Sequence, residues 1–519
     1  MPTAWVTTLS SRGESMAISR RSVTWFTVIT LTGVGLFACT ADEVSSTAPV
    51  ISEPTGTPGY NALWIPPVLS GTTFNLTLAK STKQYRTGAA TNTYGYNGSS
   101  FWGPTLIMNK GDSVTLNVTN TLTDQTTTHW HGFHIAPEMD GGPHQVVAPG
   151  ATWSPTFRVR NNAATYWYHP HLHEKTYEQL TMGAGGLIII RDPAEAALAL
   201  PRSYGVDDIP LVFSSRRFLS SNQFAKDIKV TTYGDYMLTN GTEKAMVTMP
   251  KQVVRLRLLN AEIERGLNIG LSDNRPFSVI TNDGGLLDAP VVVTRVVMMP
   301  GERVEILVDL SKDAVGASLD LMAYNSGQSF GFPGQEGNPV QPDGTAGRIN
   351  SSLLNNTDFP MLHIAVGAAT AGAITSVPTT LVANRYWTTA DVTNSRTVTV
   401  TGGQPGSGFS FDGKSFSHSL INHTIKLNAV EKWTVVNNNV FGHAIHLHDV
   451  QFKIISRSNG PVAPYESGWK DTFYLPLGTT AVVLAKFEDF TTTANAYMFH
   501  CHFSNHEDEG MMGQFTVVP

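Results

Sequence analysis

Tyr497-Met498-Phe499-His500-Cys501-His502-Phe503-Ser504-Asn505-His506 is the stretch on which the reading of this chain turns. Its first six residues have the composition of a β-strand, and successive strand side chains point to opposite faces. His500 and His502 therefore share one face, while Cys501 between them projects from the other. One strand serves two separate sites.

Three earlier segments repeat the spacing: His129-Trp130-His131-Gly132, His169-Pro170-His171 and His443-Ala444-Ile445-His446-Leu447-His448. Together with His506 these clusters hold ten of the sixteen histidines. A lone buried histidine is usually structural, but four pairs at spacing two supply eight imidazoles able to approach one metal cluster. In the third segment His446 and His448 share a face, and His443, an odd three residues earlier, points oppositely and so belongs with Cys501. Adding His506 and Met511 from the segment after the strand gives two imidazoles, a thiolate and a thioether, the ligand set of a blue-copper electron-transfer centre with a weak axial methionine. Met512 competes with Met511 for the axial place, with core packing as its alternative role; the spacing from His506 favours Met511.

The rest of the chain reads as all-β. From about Tyr60 onward, short runs rich in Val, Thr, Ile and Phe are broken by Gly, Pro, Asn and Asp, as in Ser113 to Val118, Gln252 to Leu258, Arg303 to Val308 and Thr397 to Thr401. Such punctuation predicts Greek-key sandwiches or barrels. At about 150 residues per domain the length suggests three of them. Gly111-Asp112-Ser113-Val114, Pro300-Gly301-Glu302-Arg303-Val304 and Glu431-Lys432-Trp433-Thr434-Val435 each place a turn and an acid before a strand, one unit per expected domain. Linkers are read at Pro193 to Pro201 and Gly367 to Pro378, giving domains at 55–192, 202–366 and 379–519, with a long surface loop from Gly327 to Asn350. The net charge of −6 and the lack of a basic cluster exclude the electrostatic footprint of a nucleic-acid binder.

Residues 1–40 differ from the remainder. Arg20 and Arg21 precede the apolar run Val23 to Phe37, which ends at Ala38-Cys39, the order of an export signal. The run is shorter than the roughly 20 residues a spanning helix needs. Met16 is a candidate start, and Ser19-Arg20-Arg21 loosely resembles a twin-arginine signal. Cys39 resembles the lipidated cysteine of bacterial lipoproteins, with an incidental signal-peptide cysteine as the alternative. The product is thus expected outside the cytoplasm, periplasmic or extracellular. Cys39 and Cys501 are the only cysteines, so a disulfide framework is excluded and Cys501 is free for chemistry.

The four histidine motifs in this order resemble those of the multicopper oxidases, such as laccases and bacterial cuprous oxidases. The resemblance continues through Gly103-Pro104-Thr105, Gly185-Gly186-Leu187, Asn240-Gly241, Leu258-Leu259-Asn260-Ala261 and Gly468-Trp469-Lys470-Asp471-Thr472. It implies three cupredoxin-like domains and four copper ions. His443, Cys501, His506 and Met511 would hold the type 1 copper, and His129 and His446 the type 2 copper. His131, His169, His171, His448, His500 and His502 would hold the type 3 pair. Ala444 stands where proline is common in the family and Asp449 where glycine is common.

The resemblance implies a copper-dependent oxidoreductase that oxidises a reducing substrate one electron at a time and reduces dioxygen to water. Electrons are expected to enter by a solvent-facing edge of His506 or His443, then pass from Cys501 through the backbone to His500 and His502. Asp140, in Met139-Asp140-Gly141-Gly142-Pro143, and Glu507, beside His506, resemble proton-relay carboxylates of the family. A turn before Gly-Gly is the alternative role for Asp140, and a solvated acidic loop for Glu507. His134, His144 and His173 break the pattern and read as structural or surface residues. The expected donor is a phenol or aromatic amine, because the Gly327 to Asn350 loop holds no methionine; the alternative is Cu(I). A copper-binding protein without turnover and a two-domain nitrite reductase are further alternatives, against which complete ligation and chain length respectively argue. A monomer is expected.

Overall fold

The structure is a computed structural model that describes residues 59–228, 232–335, 352–403, 408–439 and 441–519. The expected leader, with Cys39, lies outside the described residues, as does most of the Gly327 to Asn350 loop. Within them the chain is all-β, built as three cupredoxin-like sandwiches that follow one another along the sequence.

Each sandwich repeats one construction. In the N-terminal one, Thr73–Lys83 pairs in parallel with Ser113–Asn120. In the middle one Asp208–Arg216 lies parallel to Val253–Asn260, and in the C-terminal one Asn394–Gly402 lies parallel to Val430–Asn437. The second strand of each pair then continues into an antiparallel ladder, to Thr156–Arg158, Arg303–Asp309 and Thr480–Lys486 respectively. Alternation writes this directly: along Ser113–Asn120, Val114, Leu116 and Val118 are buried, and Ser113, Thr115 and Asn117 face outward.

Three details depart from the reading of the sequence. Glu431 lies inside the strand Val430–Asn437, not in a turn before it, because Arg396 neutralises its buried carboxylate at 2.7 and 2.8 Å. The expected linker after Arg191 begins with a short helix, Pro193–Ala196, whose N-terminus Asp192 caps by accepting from the Glu195 amide. Asn61–Ala62, the first strand of the described residues, pairs with Ala245 and Met246 of the middle sandwich. Among the described residues no helix is long and apolar enough to cross a membrane.

The sheets that carry the histidine motifs face one another. His129–His131 lies beside Ala164–His169, with His129 opposite His169 and His131 opposite Trp167. In the C-terminal sandwich His443–Leu447 lies beside Thr492–Cys501, with His446 opposite His500 and Ile445 opposite Cys501.

Candidate metal centres

Eight imidazoles, two from each motif, converge in one buried cavity between the N-terminal and C-terminal sandwiches. His171, His448 and His500 meet through their Nε2 atoms at 3.0 to 3.3 Å. His131 meets the Nε2 atoms of His169 and His502 at 3.4 and 3.2 Å, but through Nδ1. His129, His131 and His446 form a third group of nitrogen ligands within 4.8 Å of one another. Each of the spacing-two pairs 169/171 and 500/502 is split between the two triads. In two of the motifs the residue between the paired histidines packs into the core: Trp130, between His129 and His131, stacks on Trp153, and Cys501, between His500 and His502, packs with Ile445 and Phe503. Only the 129/131 pair lies wholly within a strand, because the strands carrying His169, His446 and His500 end just short of His171, His448 and His502.

The outward nitrogens are tied to oxygen. His129, His169, His446 and His500 set Nδ1 against the carbonyl oxygens of Asp140, Pro170, Asp471 and Cys501 at 2.8 to 3.0 Å. Three buried carboxylates stand behind His448, His171 and His131. Asp140 reaches His448 Nδ1 at 2.6 Å, and Glu507 lies 3.1 Å from His171 Nδ1 and 3.4 Å from His500 Nδ1. Asp471 lies 3.0 Å from His131 Nε2. Carbonyl and carboxylate oxygens accept only, so His131, His169, His446, His448 and His500 hold a proton on the outward nitrogen and turn a lone pair inward. His129 Nε2 and His446 Nε2 are buried and make no hydrogen bond, which is the condition of nitrogens that await a cation.

Burial sets the charge state. It holds His131, His169, His171, His446 and His500 well below the usual imidazole range, with the neighbouring rings adding to it. His448 is pushed down to about 4 and His502 to about 3 by burial. At neutral pH these rings are uncharged, as metal binding requires. The carboxylates diverge. Burial pushes Asp140 up, but the imidazoles of His129 and His448 outweigh it and hold the group well below the usual carboxylate range. Burial, reinforced by Asp508, pushes Glu507 well above that range, and Thr176 donates its hydroxyl to Glu507 Oε1 at 2.7 Å. The two acids are thus driven in opposite directions.

On the opposite face of the same strand, Cys501 Sγ lies 3.6 Å from both His443 Nδ1 and His506 Nδ1. His443 faces this way because the strand His443–Leu447 is regular; His506 comes from the short helix Ser504–Asp508. Met511 belongs to the core cluster that contains Cys501, whereas Met512 packs apart with Met498 and Ala496. Burial alone brings His443 down to about 3, and burial is the main cause that pushes the Cys501 thiol up, with Glu264 and Glu507 adding to it. The expected solvent-facing edge of His506 or His443 is not found: their exposures are 1% and 0%. Phe409 covers both rings, at centroid distances of 4.2 Å from His506 and 5.0 Å from His443, with Phe441 6.1 Å from each.

Sequence reading missed Asp471 and the group around it. Arg303 pairs with Asp471 through two nitrogens at 2.7 Å each, and Lys470 reaches Asp283 at 3.0 Å and Glu302 at 2.8 Å. The available signal was Lys470-Asp471, two adjacent charges entering the strand Thr472–Leu475. Asp449 has φ +71°, which explains why glycine is common there, and its carboxylate holds His134 at 2.7 Å. His144 contacts Gln514 at 2.5 Å and His173 packs on Phe416, so neither joins the cavity.

The chain is similar to known proteins along most of its length. Family models described as multicopper oxidase match residues 77–195 and 389–519. The multicopper oxidase mco of Staphylococcus aureus is 32% identical over 451 residues, covering 86% of this chain and 88% of its own. The cell division protein FtsP of Proteus mirabilis is 30% identical over 461 residues, covering 88% and 92%. Among solved structures, the bacterial laccase-like multicopper oxidase CueO of Ochrobactrum sp. superposes with a TM-score of 0.77 at 30% identity, over 88% of this chain and all of that one. With a donor set suited to copper and relatives that match along most of its length, the chain belongs to the multicopper oxidases, copper-dependent oxidoreductases that pass electrons from a reducing substrate to dioxygen.

Proposed function

We propose that the chain is a laccase-like oxidase with four coppers, one at Cys501 and three in the imidazole cavity. His443, Cys501, His506 and Met511 are read as the type 1 ligands and His129 and His446 as the type 2 ligands. His131, His169 and His502 would hold one type 3 copper, and His171, His448 and His500 the other. Copper, when bound, supplies the one-electron chemistry that gathers four electrons for one dioxygen. The observation that carries the reading is the splitting of one strand, with a sulfur on one face and two imidazoles of the cavity on the other. The peptide linking Cys501 to its two neighbours is then a covalent connection between the centres.

The chain's own residues supply the rest. Asp140 stays ionised against His448 and His129, orienting both rings and favouring the arrival of protons. Burial favours the protonated form of Glu507, whose carboxyl lies 3.1 and 3.4 Å from two rings of the cavity, where dioxygen reduction would consume protons. Phe409 and Phe441 keep water from the type 1 ligands, so the donor passes its electron across an aromatic layer without touching an imidazole. The domains are read at 55–192, 202–366 and 379–519. The leader pattern supports export to the periplasm or beyond, with Cys39 as the point of any lipid anchor.

A phenolic donor is favoured. The Ochrobactrum neighbour is described as oxidising lignin model compounds, and the surroundings of the type 1 residues are aromatic. The relatives named as cell division proteins raise a role without turnover, against which the full set of donors argues. Oxygen uptake by the copper-loaded protein, measured with hydroquinones and separately with Cu(I), tests the reading. Uptake with hydroquinones is expected; a response to Cu(I) alone would overturn the donor, and no uptake with either would overturn the activity.

A further inference from the structure

We propose that Arg303, from the sandwich that contributes no imidazole to the cavity, is a positioning residue for it: by clamping Asp471 it decides which nitrogen of His131 faces inward. The proposal rests on reading the cavity as a copper site.

His131 is the exception among the cavity rings. His171, His448 and His500 meet through Nε2, and His169 and His502 likewise turn Nε2 inward. His131 alone turns Nδ1 to its neighbours and sets Nε2 on Asp471 Oδ1 at 3.0 Å, with the Thr472 hydroxyl at 3.4 Å. A carboxylate demands the proton on Nε2, which frees the lone pair of Nδ1. The main-chain oxygen of Asp471 does the same for His446, accepting from Nδ1 at 2.8 Å. One residue thus orients a ring in each of two metal groups.

Asp471 is fully buried and its carboxylate needs a partner to stay there. Arg303 provides it with a two-pronged pairing, Nη1 to Oδ1 and Nη2 to Oδ2 at 2.7 Å each, a geometry that a lysine cannot reproduce. The guanidinium is itself fixed on three sides. Nε donates to the Thr165 carbonyl in the strand that carries His169, at 3.1 Å, Nη1 to the Gly301 carbonyl and Nη2 to the Asp283 carbonyl, each at 3.0 Å. One side chain therefore joins all three sandwiches at the cavity wall.

Two glycines give independent support. Gly301 has φ +89°, and a Cβ there would stand 2.7 Å from His502 Cδ2. Gly132, at φ +84°, would bring a Cβ to 2.5 Å from Asp471 Oδ2 and 2.7 Å from Arg303 Nη2. The backbone has been cleared of side chains on both sides of the clamp, so that the middle sandwich can press on a cavity to which it gives no ligand.

The test compares Arg303→Lys, Asp471→Asn and the double variant Arg303→Gln/Asp471→Asn, which leaves no lone buried charge from the pair. Arg257→Lys is the control, an equally buried guanidinium of the same sheet that pairs with Asp208 and Glu305 and touches no imidazole. The clamp variants are expected to keep the blue absorption while surrendering cavity copper to a chelator about 10–100 times more readily, with an altered type 2 EPR signal. Arg257→Lys should keep both. In copper-free protein, nitrogen NMR should find the Nε2–H tautomer of His131 in the wild type and its loss in the double variant. Unchanged cavity copper and an unchanged tautomer would overturn the proposal, as would loss of both centres in step with the melting temperature. A wild-type protein that loads only the blue centre would instead overturn the reading of the cavity.

Discussion

The two faces of the strand ending at Cys501 were made for different work. The face that carries the sulfur looks onto the apolar side chains Phe409, Phe441, Phe503 and Met511. The face that carries His500 contributes to a set of eight imidazoles backed by Asp140, Glu507 and Asp471. Both are buried, so burial alone does not separate them. An electron-transfer site needs a rigid, dry setting and no proton, whereas a site that turns dioxygen into water must be fed protons while staying closed. Apolar walls satisfy the first requirement and buried acids the second.

The sharpest way to break this contrast is to remove the sulfur. Cys501→Ser should abolish the blue absorption and turnover, yet leave the type 2 EPR signal and the cavity copper; loss of all copper together would mean that the faces are not independent. Next in size is Glu507→Gln, which removes the titratable proton without changing shape. Turnover should fall by about 10²-fold or more with the blue colour intact, and the fall should shrink in the single-turnover oxidation of the type 1 centre by an artificial acceptor. Asp140→Asn should slow oxygen reduction by about 10-fold or more while the colour persists, and loss of that colour would count against its role.

Acid gives a thermodynamic version of the comparison. The copper-free protein carries histidines with folded values of about 3 on the sulfur face (His443) and about 3 to 4 on the other (His502, His448), against 6.5 when unfolded. The unfolded chain therefore binds more protons between those limits. Stability is fully present above 6.5 and falls as pH drops towards about 3, by about 1.4 kcal/mol per pH unit for each such ring. Melting of the copper-free protein across that window checks the slope, and bound copper should delay the loss. The smallest effect is expected from Phe409→Leu, a cost of about 1 kcal/mol in stability with a change in KM for bulky donors and none in KM for dioxygen. A shift in the dioxygen KM would show that the faces communicate through more than the strand.

Much of this was legible because it is local. Alternation around Cys501 and the odd offset of His443 need only a locally extended backbone: His443, His500 and Cys501 lie in strands, and His502 directly follows one. The three sandwiches announced themselves by strand punctuation for the same reason. Asp471 was not legible, since its meaning comes from Arg303, 168 residues away, and from His131, 340 residues away. The covered edges of His443 and His506 were missed because Phe409 arrives from a strand whose sequence, Phe409–Phe411, says nothing about what it will lie upon. Patterns of one or two residues predict which way a side chain points; what it meets is decided by the packing of distant segments.

The pairing of Asn61–Ala62 with Ala245–Pro250 bears on how shortened forms of the chain will behave. Those two residues cap an edge of the six-stranded middle sheet, and Leu63 donates its amide to the Met246 carbonyl at 2.7 Å. A truncation beginning after Leu63 would keep every histidine and every acid discussed above. It would also uncover a row of main-chain donors and acceptors, a template on which a second copy can add its own strand. Preparations trimmed too closely at the N-terminus should therefore self-associate while still taking up metal.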